Sequence, residues 1–138
     1  MYHEIGFVDT KPLASIVGEI LFKVNSGYHI TPLTEPQERH ARQCLGGIVP
    51  VDGWISARLI AIKPGGIIHL HTDPLPDGFP RHTRYHVVLT TNPYCWGYHD
   101  GSVQRLEAGG VYTIDESLEH ASVNWGKTPR VHLVIDAT

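Results

Sequence analysis

Cysteine is scarce in this chain. The 138 residues hold two, Cys44 and Cys95, far apart and with no CxxC, so a disulfide framework is excluded and two free thiols in a reducing cytosol are expected. Long hydrophobic runs are missing as well. Nowhere do about eighteen apolar residues follow one another, which leaves no segment to cross a bilayer as a helix. The opening residues, Met1, Tyr2, His3, Glu4 and Ile5, form neither a basic segment nor the apolar stretch of a leader, and a cytoplasmic location is expected. Positive charge is not in excess. With a net charge of -3 and a pI near 6.3, no broad positive field exists to attract phosphate backbones or anionic lipid, and neither nucleic acid nor membrane is an expected partner. Repeats and low-complexity stretches are absent, and nothing points to an oligomeric state.

What is present describes a folding domain. Hydrophobic residues make up 41% and charged residues 18%, too apolar for a disordered chain. The length suits one domain, residues 1–138, with a helical part over 1–50 and a β core over 51–138. Ten histidines are the compositional oddity. Imidazole is the commonest metal ligand, so their excess favours a metal.

In the first part, Pro12 suits the first turn of a helix, and Leu13, Ile16, Val17, Ile20 and Leu21 recur at three and four residue spacing, giving one apolar face that can cover a sheet. Thr34 and Gln37 form a capping-box pattern with Pro36 early and Gly46-Gly47 at the end, which predicts a second short helix. From Trp54 onward short runs alternate with Gly, Pro, Asn and Asp. Strands are predicted over 54–62, 66–72, 84–91, 94–98, 102–106, 110–114, 120–125 and 129–136. Eight such strands predict an antiparallel jelly roll. The segment Pro74 to Pro80 is the clearest loop, placed to lie as a flexible cover over whatever precedes it.

Strand parity decides which side chains share a space. Successive residues face opposite ways, so His69, His71 and Asp73 project together while Leu70 and Thr72 point away. Arg84 and His86 share a face against Tyr85, Val87 and Leu89. Arg130 and His132 share one against Val131, Leu133 and Ile135. Ionisable residues on one side and an aliphatic stripe on the other predict that both sides are buried, one as core and one as a polar cavity. Burying Arg and His is costly unless they meet partners, metals or ligands, so the cavity is the candidate site.

His71 and Asp73 offer a nitrogen and an oxygen two positions apart, and His120 on a later strand can close a facial triangle. Two histidines and one carboxylate leave coordination positions open and favour non-haem Fe(II), which can hold a co-substrate and O2. Arg130, ten residues past His120, can grip a carboxylate bidentately. Trp54, Trp96 and Trp125 read first as packing. Asp115, Glu116, Glu119 and Glu107 read as a solvated turn, and Arg39, Arg42 and Arg81 as surface charge.

His71-Thr-Asp73, then RYHVVL, LEHASVNWG and RVHLVID in that order resemble the aspartyl/asparaginyl β-hydroxylase family of Fe(II)/2-oxoglutarate dioxygenases, which includes bacterial proline hydroxylases. The resemblance spans roughly residues 66 to 136. It implies a double-stranded β-helix, on whose outer face the one or two N-terminal helices predicted above would pack, and iron held by His71, Asp73 and His120. It also implies that Arg130 pairs with the distal carboxylate of 2-oxoglutarate, and that Arg84 and His86 line the co-substrate pocket. His69, Asn124, Trp125 and His132 are candidates to support that shell or to meet substrate. The activity implied is hydroxylation of an amino-acid-like or peptidyl C–H bond with release of succinate and CO2, so a small molecule or peptide is the expected partner. The loop from Pro74 to Arg84 is longer than the β-hydroxylase pattern, which leaves substrate identity open.

Two alternatives stay open. Pro64-Gly65-Gly66 with His69 and His71 resembles the first cupin motif, and His120 with Asn124 the second, so a cupin that does not use 2-oxoglutarate could hold metal through His69, His71 and His120. The glutamate expected after the paired histidines is missing. The other alternative is a catalytically silent jelly-roll interaction domain, against which the histidine excess argues.

Overall fold

The computed structural model describes residues 1–21, 27–75 and 77–138. Among them, ten strands and two helices follow one another: β1 (His3–Phe7), α1 (Ala14–Leu21), β2 (Tyr28–Pro32), α2 (Glu35–Leu45), β3 (Trp54–Ile62), β4 (Ile67–His71), β5 (Thr83–Thr90), β6 (Cys95–His99), β7 (Ser102–Gln104), β8 (Gly110–Ile114), β9 (His120–Asn124) and β10 (Arg130–Ala137). They form two antiparallel sheets. Six strands run in the order β1-β8-β5-β10-β3-β2, and four in the order β4-β9-β6-β7.

Hydrophobic alternation explains why the larger sheet is covered on both faces. In β10, Val131, Leu133, Ile135 and Ala137 join Ala57, Leu59 and Ala61 of β3 and Val87 and Leu89 of β5 in one apolar cluster. The same cluster contains Leu13, Ile16 and Val17 at and within the start of α1, and Ala41 and Leu45 of α2, so the helices pack on the outer face of this sheet. Full burial of each Leu, Ile or Val contributes roughly 1.5–3 kcal/mol. The opposite face carries Arg58 and Ile60 of β3, Arg84 and His86 of β5, and Arg130, His132, Val134 and Asp136 of β10, and it looks toward the four-stranded sheet. Every residue of β10 is buried. A smaller apolar cluster, Tyr2, Val88, Tyr112 and Ile114, fills part of the space between the sheets.

The helix signals act as the sequence predicts. Gln37 donates its backbone N–H to Thr34 Oγ1 at 3.3 Å, and Thr34 donates its own to Gln37 Oε1 at 2.9 Å, so both members of the capping box are made. Pro12 lies in a short 3-10 turn, Lys11–Leu13, that leads into α1. The side chains of Ile20 and Leu21 lie outside the described residues. Between β6 and β7, Asp100 and Gly101 take φ of 44° and 87°; positive φ at both positions makes the tight turn that joins two twisted strands.

The first fifty residues are not simply helical, and this corrects the expectation from sequence. They also supply β1 and β2, the two edge strands of the six-stranded sheet. Both are short and largely exposed; HEIGF lacks clean apolar alternation, whereas YHITP alternates Tyr28 and Ile30 with His29 and Thr31 over only five residues. No helix among the described residues is long and apolar enough to cross a membrane.

Candidate metal centre and its cavity

Between the sheets lies a cavity of about 640 Å³. His71, at the end of β4, pairs in register with His120, which opens β9; their rings lie 4.2 Å apart. Asp73 sits just past β4, its backbone N–H held by the Glu116 carbonyl at 2.8 Å. Its Oδ1 is 3.6 Å from His71 Nε2 and its Oδ2 is 3.2 Å from His120 Nε2. All three ligand atoms fall within 4.8 Å of one another.

Both imidazoles are pre-oriented. His71 Nδ1 lies 2.7 Å from the carbonyl of His69, and His120 Nδ1 lies 2.8 Å from that of Leu118. A carbonyl can only accept, so each Nδ1 donates, which turns each Nε2 toward Asp73. Two imidazole nitrogens and a carboxylate that converge on one point can hold a cation. The donor set of two nitrogens and one oxygen suits Fe(II).

Arg84 sets the carboxylate. Its Nη1 donates to Asp73 Oδ2 at 2.9 Å, while Nε and Nη2 donate to Asp136 at 2.8 and 3.0 Å. Each of its three nitrogens makes a hydrogen bond to a carboxylate, so in this structure Arg84, which lines the cavity, positions Asp73. Burial raises the cost of ionising Asp136, yet the hydrogen bonds and charge of Arg84 and the charge of Arg58 outweigh it and hold that carboxyl below its ordinary value.

Arg130 is in the opposite condition. It is 5% exposed, its Nη1 reaches Ser122 Oγ at 3.4 Å, and its Nε is buried with no hydrogen-bond partner. No carboxylate pairs with it among the described residues. Burial pulls its pKa down to about 10, so it remains a cation at neutral pH. A guanidinium that lines a cavity without an acid has donors that an anionic ligand could satisfy.

Beside it, His86 Nδ1 faces His132 Nδ1 at 3.1 Å. Burial, then the charge of Arg130, pushes both pKa values well below the ordinary histidine value. The pair is neutral, one ring donating and the other accepting.

Not every sequence candidate reaches the cavity as expected. A register shift between Ile68 and His71 sets two residues of β4 against one of β9. This bulge breaks strict alternation, so His69 and Leu70 are both exposed at the cavity mouth. His69 is not in the converging ligand group and contributes its carbonyl instead. Asn124 is fully buried, but it donates to the carbonyls of Ile62 and Thr128 at 3.0 and 2.8 Å and so ties loops together. Trp125 is 58% exposed in a separate surface hollow with Asn92 and Tyr94. The loop expected to cover the site includes position 76, which lies outside the described residues.

Other residues at the site escaped the sequence. Tyr2 lies between the sheets with its ring edge-on to His86 at 5.6 Å. Glu116, expected in a solvated turn, is buried against His82 Nε2. Nothing local announces either, because their partners lie dozens of residues away. Arg58 and Asp136 were legible in part, since each keeps the parity of the polar face in β3 and β10.

The two-sheet architecture defines the class: a cupin-like jelly roll. Superposition matches a cupin domain of an XRE family transcriptional regulator from Enterobacter cloacae with a TM-score of 0.54 at 16% identity, over 82% of this chain and 98% of that one. A cupin domain from Bordetella pertussis matches with a TM-score of 0.53 at 19% identity, over 81% and 94%. At such identities the likeness concerns the fold. In sequence, residues 48–138 match the model of the Aspartyl/Asparaginyl beta-hydroxylase family. The chain belongs to that family. It is also 32% identical over 81 residues to L-proline cis-4-hydroxylase of Rhizobium meliloti (strain 1021), a match that covers 57% of this chain and 28% of that protein. The matched segment is thus well under a third of the relative's length.

Proposed function

We propose that this protein is an Fe(II)- and 2-oxoglutarate-dependent dioxygenase that hydroxylates a C–H bond of an amino-acid-like or peptidyl substrate. Family membership and the likeness to a proline hydroxylase support hydroxylation. The observation that carries the co-substrate is Arg130, a buried guanidinium with an unpartnered Nε in the same cavity as the His71, Asp73 and His120 cluster.

In this reading His71, Asp73 and His120 hold the iron, and Arg130 receives the distal carboxylate of 2-oxoglutarate. Iron, 2-oxoglutarate and O2 supply the oxidising power, with succinate and CO2 as co-products. The protein's residues do the placing. The His69 and Leu118 carbonyls fix both imidazole tautomers, Arg84 holds Asp73 in position, and the His86–His132 pair adds polarity without charge. Tyr2 and the aliphatic side chains of Ile60, Ile68 and Val134, which line the cavity, limit water at the reacting bond. Two free thiols, Cys44 and Cys95, suit a cytosolic setting. The cupin alternative with His69 as ligand is disfavoured by the bulge that leaves His69 outside the cluster.

The test is anaerobic loading with Fe(II), followed by oxygenation and measurement of succinate across a panel of amino acids and peptides. Succinate dependent on Fe(II) and 2-oxoglutarate is expected, with loss of at least about 100-fold in Asp73→Ala. Tight Fe(II) binding without any succinate release under any condition would overturn the proposal.

A further inference from the structure

The charge inventory of the cavity narrows the substrate, granted the oxygenase reading above. Among the described residues that line it, Asp73 is the only carboxylate, against the guanidiniums of Arg58, Arg84 and Arg130. Asp73 belongs to the metal cluster and to Arg84. Asp136 and Glu116 lie behind the wall, the first on Arg84 and Arg58 and the second on His82. No acid is therefore left to receive an ammonium group, and burying an unpaired ammonium is expensive.

Arg58 is the cation left over. Only its Nη1 is engaged among the described residues, donating to Ser56 Oγ at 3.0 Å and to Asp136 Oδ2 at 3.3 Å. Asp136 is already gripped through two donors by Arg84, so one carboxylate serves two guanidiniums. Register places Arg58 well away from Arg130: Arg58 pairs with Val134 and Arg130 with Ile62, four positions apart on β3. Between them stand Ile60 and, paired with it on β2, Ile30. Ile68 and the exposed Leu70 face these from the other sheet's edge strand. The cavity thus has two cationic stations separated by an aliphatic wall. If Arg130 takes 2-oxoglutarate, the Nε and Nη2 donors of Arg58 are left for a second anion.

We propose that the substrate oxidised here is a carboxylic acid with an apolar body and no free amino group, an N-acylated amino acid being the simplest case, and that its carboxylate pairs with Arg58. The apolar body lies along Ile30, Ile60, Ile68 and Leu70. Arg58 is then a specificity-determining residue.

The test uses the full chain loaded with Mn(II) and N-oxalylglycine, an inert stand-in for 2-oxoglutarate, and titration calorimetry with two matched series built on leucine and proline. Each series contains the N-acetyl acid, the free amino acid and the N-acetyl amide. The N-acetyl acid should bind about tenfold or more tightly than the other two, the range expected of a charge-assisted hydrogen bond. Arg58→Gln should erase the preference for acid over amide. Arg58→Lys, which keeps Asp136 supplied with a cation, should retain part of it and guards against a folding defect in the first variant. Equal binding of amide and acid, tighter binding of the free amino acids, or no binding by either N-acetyl acid would each overturn the proposal. Turnover separates the two layers. Succinate released only with free amino acids defeats the inference and keeps the oxygenase. Arg58-dependent binding of N-acetyl acids without any Fe(II)- and 2-oxoglutarate-dependent succinate defeats the oxygenase and keeps the anion site.

Discussion

At the scale of single residues, what distinguishes the cavity is how unevenly its cations are satisfied. Arg84 makes three strong hydrogen bonds to two carboxylates, whereas Arg130 makes one long contact to a serine. A buried charge tolerates such poverty only where a ligand completes it. Arg130→Gln should therefore raise the KM for 2-oxoglutarate by about tenfold or more, with a smaller change in kcat. Succinate release measured against 2-oxoglutarate concentration checks this, and an unchanged KM would take Arg130 out of the site. The His71, Asp73 and His120 convergence was legible beforehand because those residue types recur at a spacing that strands convert into one face. Strict alternation failed at Leu70, which lines the cavity together with His69 because a bulge inserts a residue, and no pattern in Ile67–His71 signals where alternation fails.

At the scale of elements, the strongest signals produced the most faithful predictions. β3 spans the residues expected of it, 54–62, because Ala57, Leu59 and Ala61 alternate with Arg58, Ile60 and Ile62 and both faces are covered. The capping box of α2 was also legible, since it depends only on residues three apart. Thr34→Ala should cost about 1 kcal/mol and lower Tm by about 3–5 °C, while leaving metal affinity intact, because α2 lies on the far side of the six-stranded sheet from the ligands. Thermal unfolding alongside metal titration tests both halves. β1 and β2 escaped notice for a physical reason. An edge strand borrows its order from one neighbour, β1 carries no clean alternation, and that of β2 runs for only five residues. Their importance appears only in place: β2 brings Ile30 beside Ile60, and the chain entering β1 sets Tyr2 beside His86.

At the scale of the whole molecule, two sheets close over ionisable groups, so stability is linked to pH. His86 and His132 are buried in the neutral form with pKa values well below 6.5. The unfolded chain takes up their protons as pH falls through about 6.5 while the folded chain resists, so stability declines below that pH. The slope is up to about 1.4 kcal/mol per pH unit for each histidine. Asp136, held low by Arg84 and Arg58, adds its loss only further down, below about pH 4. Urea unfolding of the metal-free chain between pH 7.5 and 5 should show the decline. His132→Leu should flatten it by one histidine's share, and an identical slope in that variant would show that the pair does not titrate this way.

Residue order alone determined that the chain extends in short strands from Trp54 onward and coils over α2, and which face of β5 and β10 is oily, because each follows from periods of two or three to four residues acting locally. Tertiary structure alone decided that Arg84 spends itself on Asp73 and Asp136, that Arg130 and Arg58 keep donors free, that Glu116 is buried, and that Tyr2 meets His86. Those pairings join residues far apart along the chain. They arise from sheet order and register, set by the summed burial of many strands, and no single stretch of sequence contains them.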